Sequence, residues 1–336
     1  MDAPPSPTPP EASVPPPNAA RPGASTFTIE GRSAPALFVL GWLATLIGLG
    51  LIGVAVMSGD TPAARILLVS AMAALSIGLI AGAGSQGIER RVRGALPYRG
   101  PSPFMVLAAS VPTSILALVV VSLPLGLLDI PFDGPLAAVI SVTVQAAVYV
   151  GLVRLLVVDA AALDWQAMGV GRLGRNAFLE IAGGAMWALP VVILTGILAS
   201  ILVYVIPVQP VSPLPPTGTA VGFGLSLLAG VVVAPFGEEI LFRAFATTAW
   251  ALGIGARRGL ILGAFVFAFA HVVTVSGATA GDALQLAFVG FVGRLPIALA
   301  LGWLFLRRRT VWASFGLHAA FNATLLVLAE VANRSL

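Results

Sequence analysis

"VVVAPFGEEILFRAF", residues 231–245, sets the terms on which this chain has to be read. It places Glu238 beside Glu239, with Arg243 four positions on, inside an otherwise apolar run. The chain around it is 336 residues long, 58% hydrophobic and only 10% charged. Soluble domains carry about 25% charged residues. Such a composition predicts an all-α, polytopic membrane bundle rather than several soluble domains. A charge at mid-span costs about 2.5–3.5 kcal/mol, so three ionisable side chains in one span call for a function.

A helical span needs about 20 apolar residues. Working outward from the quoted stretch, nine segments qualify: 35–57, 65–87, 102–128, 135–158, 177–206, 219–250, 257–276, 283–306 and 310–332. The sixth holds the quoted stretch, and Pro235 interrupts its helical hydrogen bonding. Breaks such as "SGDTP", "LPYRGPSP", "IPVQPVSPLPP" and "GIGARRG" are the Gly, Pro and Asp clusters expected between helices. Residues 1–33, with nine prolines in the first 22, form a Pro-rich tail expected to be disordered. They lack the cationic start and apolar run of a signal peptide.

The chain has no cysteine, which excludes disulfides and thiolate metal sites. All 18 basic residues are arginines, and the composition fits a GC-rich bacterial genome. With the N-terminus inside, the inner segments hold Arg21, Arg32, Arg90, Arg91, Arg93, Arg99, Arg154, Arg172, Arg175, Arg257, Arg258, Arg307, Arg308 and Arg309. The outer segments hold only Arg65 and Arg334. This bias predicts a cytosolic N-terminus in a multi-pass protein of the bacterial cytoplasmic membrane. The arginines are topology signals, so no nucleic-acid partner is expected. "GVGRLG" at 169–174 matches a dinucleotide fingerprint only literally. No strand precedes it, so no dinucleotide site is expected. Gly78 with Gly82 and Gly255 with Gly259 have a spacing suited to close helix packing.

The ionisable residues crowd the last four spans. Glu238, Glu239 and Arg243 lie on the sixth, His271 on the seventh, Arg294 on the eighth, His318 and Asn322 on the ninth. His271 and His318 are the only histidines. Glu239 and Arg243 share a helix face as an i, i+4 pair, whereas Glu238 points about 100° away. His271 follows Arg258 by 13 residues and Asn322 follows Arg309 by 13, each about 20 Å along a helix. Glu238 stands about 18 Å from Trp250 near the inner end of its own helix. Three helices thus bring polar groups to one depth. Arg294 is expected to snorkel or to pair locally.

A carboxylate and an imidazole in a dry pocket can together activate one water. A second imidazole and an amide can donate hydrogen bonds to the oxyanion of a tetrahedral intermediate. That set describes peptide-bond hydrolysis. Glu238, His271 and His318 are equally a possible zinc ligand set with an open water position. A proton-coupled transporter is the rival reading, but no second half mirrors the polar cluster. A non-catalytic membrane scaffold or immunity protein is the other.

The motifs then become specific. "APFGEEILFR" looks like E-E-x-x-x-R, "FAFAH" like F-x-x-x-H and "HAAFN" like H-x-x-x-N. In that order on late spans they resemble the CPBP family, the CAAX prenyl endopeptidases and bacteriocin-processing membrane proteases also called Abi. The pair Ala234–Pro235 and "VWASFGLH" agree as well, and Ala244 stands where the family often has Gly. The likeness covers about residues 220–330. It implies a protease core within 177–336, preceded by helices of unassigned role over 34–176. It implies that Glu238 activates the water with His271, that His318 and Asn322 form the oxyanion hole, and that Glu239 and Arg243 hold the geometry. The family has been described both as metalloproteases and as metal-independent glutamate-type proteases. The metal-independent version gives Asn322 a direct role, so no cofactor is expected to be required, with zinc the alternative. The implied substrate is a membrane protein or peptide presented in the lipid bilayer.

Overall fold

The computed structural model describes residues 29, 31–94, 96–128, 130–131, 134–208 and 217–334. The tail expected over 1–33 therefore lies almost wholly outside the described residues. Among those described there are nine helices and no strand. They are α1 (Pro35–Met57), α2 (Pro62–Arg93), α3 (Pro103–Leu127), α4 (Pro135–Val158), α5 (Arg175–Val205), α6 (Ala220–Ile254), α7 (Ala256–Ala270), α8 (Ala280–Arg308) and α9 (Val311–Arg334). The starts of α1 to α4 share one cause. Pro35, Pro62, Pro103 and Pro135 each occupy the first helical turn, where a missing N–H costs nothing. Thr61, Thr219 and Thr279 cap α2, α6 and α8 by accepting from backbone N–H groups.

Eight of the nine are long and apolar enough to cross a membrane, as expected of an integral multi-pass protein. The exception is the segment expected as a span over 257–276. Its regular helix, α7, has 15 residues and stops at Ala270, and turns follow over 271–274. At the stop, the His271 ring folds back onto the preceding turn. Its Nδ1 bonds the Phe267 carbonyl at 2.8 Å, the acceptor that the His271 backbone N–H would use in a continuing helix.

α6 is the central element. Its middle, Glu239–Thr247, is buried on all nine residues, so it has no lipid-facing stripe. Around Pro235 the helix widens into π turns at Leu228–Val233 and Glu239–Thr247. The break expected at Pro235 is therefore two local unwindings on either side of it. Packed against α6 are Leu152 and Val153 of α4, Phe267 of α7, Leu301 of α8, and Leu317 and Phe321 of α9. α1 lies outermost, with Leu43 and Leu46 more than half exposed, which fits a lipid-facing helix.

Small residues set the close approaches. A Cβ on Gly237 would lie 2.8 Å from the Ala146 backbone, so α4 and α6 nearly touch beside Glu238. Gly184 of α5 and Gly316 of α9 lie against the carbonyls of Ala313 and Ile181, each helix seating its glycine on the other's backbone. Gly78 and Gly82 serve the α1–α2 contact, where a Cβ on Gly41 would lie 2.9 Å from the Gly82 Cα. Gly255, at φ +89, is the sharp turn between α6 and α7. "GVGRLG" is loop: Gly169, at φ +73, offers its carbonyl to the Val311 N–H at 3.0 Å and so supports the start of α9.

Candidate active site

The core of the site grows from the E-E-x-x-x-R stretch. One turn of α6 puts Glu239 and Arg243 on the same inward face, fully enclosed. Arg243 Nη1 stands 3.1 Å from Glu239 Oε1. The flat side of the guanidinium lies on the Phe267 ring, 3.9 Å from Cζ to centroid. Glu239 Oε1 also accepts from His318 Nδ1 at 2.9 Å. One carboxylate oxygen thus ties α6 to α9, while the cation it faces rests on α7.

Glu238, the next residue, turns to the other side, as the 100° step requires. Its Oε2 lies 3.6 Å from His271 Nε2 and 3.7 Å from His318 Nε2. Both distances are too long for a direct hydrogen bond and suit polar groups that meet across a shared small group. Glu238 Oε2 itself has no hydrogen bond among the described residues. Neither do Glu239 Oε2, Arg243 Nη1 and Arg243 Nη2, so the unsatisfied polar atoms are concentrated here.

The two imidazoles are held alike. His271 donates Nδ1–H to the Phe267 carbonyl and His318 donates Nδ1–H to Glu239, so each turns Nε2 towards Glu238. Phe267 spaces them, with ring centroids 4.4 Å from His271 and 5.8 Å from His318. Asn322, one turn beyond His318 on α9, donates from Nδ2 to the Gly230 carbonyl at 2.8 Å. That carbonyl belongs to the π turn before Pro235, where the regular ladder of α6 is interrupted.

The fold therefore brings Glu238, Glu239, Arg243, His271 and His318 into one cluster, with Asn322 bound one turn away to the same helix that carries the glutamates. Zinc is a ligand that the donor types of Glu238, His271 and His318 would suit. As placed, no group of three His, Asp or Glu side chains among the described residues is gathered to hold an ion.

Two residues escape a reading of charges alone. Phe267 supports Arg243 and orients both histidines, and its only sequence signal is its i, i+4 relation to His271. Tyr149 on α4 lies three residues after Ala146, which packs on Gly237 beside Glu238. It is a lone aromatic in an apolar span, and only the Gly237–Ala146 contact reveals that it flanks the site.

Comparison with known proteins yields one family match. Residues 220–324 match the family model described as type II CAAX prenyl endopeptidase Rce1-like. The matched segment contains Glu238, Glu239, Arg243, His271, His318 and Asn322, and it leaves α1 to α5 outside. No curated protein matches the chain, and no solved structure does.

Proposed function

We propose that this protein is an intramembrane endopeptidase of the CAAX type that hydrolyses a peptide bond of a membrane-associated protein or peptide. The observation that carries the reading is the position of Glu238. A carboxylate from α6 faces the Nε2 atoms of two imidazoles from α7 and α9, at 3.6 and 3.7 Å. The family match over 220–324 supports the same reaction class.

In this reading Glu238 takes a proton from a water held between it and His271, and the hydroxide attacks the scissile carbonyl carbon. Negative charge moves to the carbonyl oxygen. His318, held through Nδ1 by Glu239, would donate Nε2–H to that oxygen. Asn322 has a second N–H beyond the one given to Gly230 and would donate it to the same oxygen. The proton on Glu238 then passes to the departing amine as the C–N bond breaks. Glu239 and Arg243 touch no reacting atom and hold His318 and α7 in place. No step requires a metal. Were zinc bound, Glu238, His271 and His318 would be its ligands, and it would supply an acidified water.

Comparative proteomics of cells expressing the wild type and Glu238→Gln tests the reading. The expected result is a cleavage product that disappears in the variant, with a loss of about 10²–10⁴-fold in rate for the purified protein and unchanged expression. An unchanged peptide inventory would leave the scaffold reading standing. Purified wild type treated with a strong chelator is expected to keep full activity, and loss restored by Zn²⁺ would overturn the metal-independent version.

A further inference from the structure

Arg294 is an intramembrane charge that the site described above leaves unused. It lies 13 residues before Arg307 and 12 after Asp282, so about 18–20 Å of helix separates it from either end of α8. That is too far for the side chain to snorkel to an interface. It follows from the same count that Arg294 and His271 stand at one depth. Among the described residues no carboxylate lies within ion-pair distance of it. Its Nη1 donates to the Gly290 carbonyl at 3.0 Å, one turn back on its own helix.

Gly290 shows where the guanidinium points. A Cβ there would lie 3.1 Å from both Arg294 Nη1 and Val272 Cγ1, so the absent side chain makes room at the α7–α8 seam, next to His271. A guanidinium has five N–H donors in a planar fork that matches a carboxylate bidentately. One carbonyl satisfies little of it, and the half-buried cation has no contacting anion among the described residues.

We propose that Arg294 is a carboxylate-binding subsite of this active site, recognising an anionic group on the substrate close to the bond presented to Glu238. The inference rests on the hydrolase reading given above. The carboxylate comes either from the substrate's free C-terminus or from an acidic side chain. In both cases Arg294 fixes how far along the peptide the cut falls, because a bidentate contact sets one end of the chain relative to Glu238.

The test uses three N-dodecanoyl pentapeptides, identical except at the end. One finishes in Gln with a free α-carboxylate, one in Gln carboxamide and one in Glu carboxamide. Binding is measured to the full-length protein in nanodiscs, carrying Glu238→Gln to prevent turnover. The expected result is at least about tenfold tighter binding of one carboxylate probe than of the Gln carboxamide. The α-carboxylate probe winning identifies a chain terminus, and the Glu carboxamide winning identifies a side chain. The preference should vanish on adding Arg294→Met and persist, weakened, with Arg294→Lys, which guards against a fold lost in the first variant. Equal affinity for all three probes, no binding of any, or a preference that survives Arg294→Met overturns the assignment. Wild-type turnover is scored separately. A carboxylate preference without hydrolysis would overturn the hydrolase reading alone, and hydrolysis without a preference would overturn the subsite alone.

Discussion

Arg243 touches both halves of the site's support, the Glu239 carboxylate on its own helix and the Phe267 ring on the next. Removing one partner of a buried ion pair leaves an uncompensated charge and costs about 3–5 kcal/mol. Arg243→Met is therefore expected to lower the thermal midpoint of the purified protein sharply and to abolish cleavage. The pair Arg243→Met with Glu239→Gln should cost less than the sum of the two single changes, because the second removes the orphaned charge. Additive losses in thermal unfolding would show that the two do not act as a pair. The i, i+4 spacing made this pair legible in the sequence. The bond from His318 to Glu239 was not legible, since 79 positions separate the two and only the crossing of α6 with α9 joins them. Asn322 is similar: the motif flags it, but its hold on Gly230 depends on a carbonyl that only the π turn makes available.

At the scale of elements, the site depends on how closely α9 can approach α5. Gly316 lies two residues before His318, and a Cβ there would collide with the Ile181 carbonyl. Gly316→Ala is expected to push the start of α9 outward, drawing His318 from Glu239. Overpacking of this kind costs about 1–3 kcal/mol, and activity should fall more than tenfold. Gly196→Ala is the matched control on α5, where nothing lies within 4 Å, and it should be neutral or slightly stabilising. Equal behaviour of the two variants in melting and turnover would refute the argument. The helices themselves were legible because each is an apolar run closed by Pro or Gly. The early end of α7 was not, because hydropathy registers the apolar character of "FVFAFAHVV" and not where its backbone ladder ends. Pro235 announced a break in α6, yet the π turns on both sides of it reflect packing that a local rule cannot supply.

For the whole molecule, the arginine asymmetry predicts that the α6–α7 and α8–α9 turns lie on the face of the N-terminus. α7 and α8 leave from and return to that face, so the parity holds however far α7 reaches. The absence of cysteine makes this directly testable. A membrane-impermeant maleimide on intact cells should label Asp60→Cys between α1 and α2, and should label Ala256→Cys between α6 and α7 only after lysis. The reverse pattern would invert the topology. The sequence is silent on what α1 to α5 do, because no catalytic motif lies in them and the family match begins at 220. The shortness of α7 has one more consequence. α8 rises about 39 Å from Arg308 to Asp282, more than a bilayer core of about 30 Å, whereas regular helix beside it ends at Ala270. A bilayer seated on α8 would hold the turn and loop from 272 to 279 in its upper part, with backbone groups outside a helical ladder, and 273–279 are exposed. Lipid tails cannot satisfy such groups. A notch in the bilayer is the expected outcome, and the backbone amides of 273–279 should then exchange with deuterated solvent far faster than those of α6; slow exchange would mean a dry seam. Water entering by such a notch would approach His271 from the end of α8 remote from Arg308, so in the hydrolase reading the water and the peptide need not arrive by the same door.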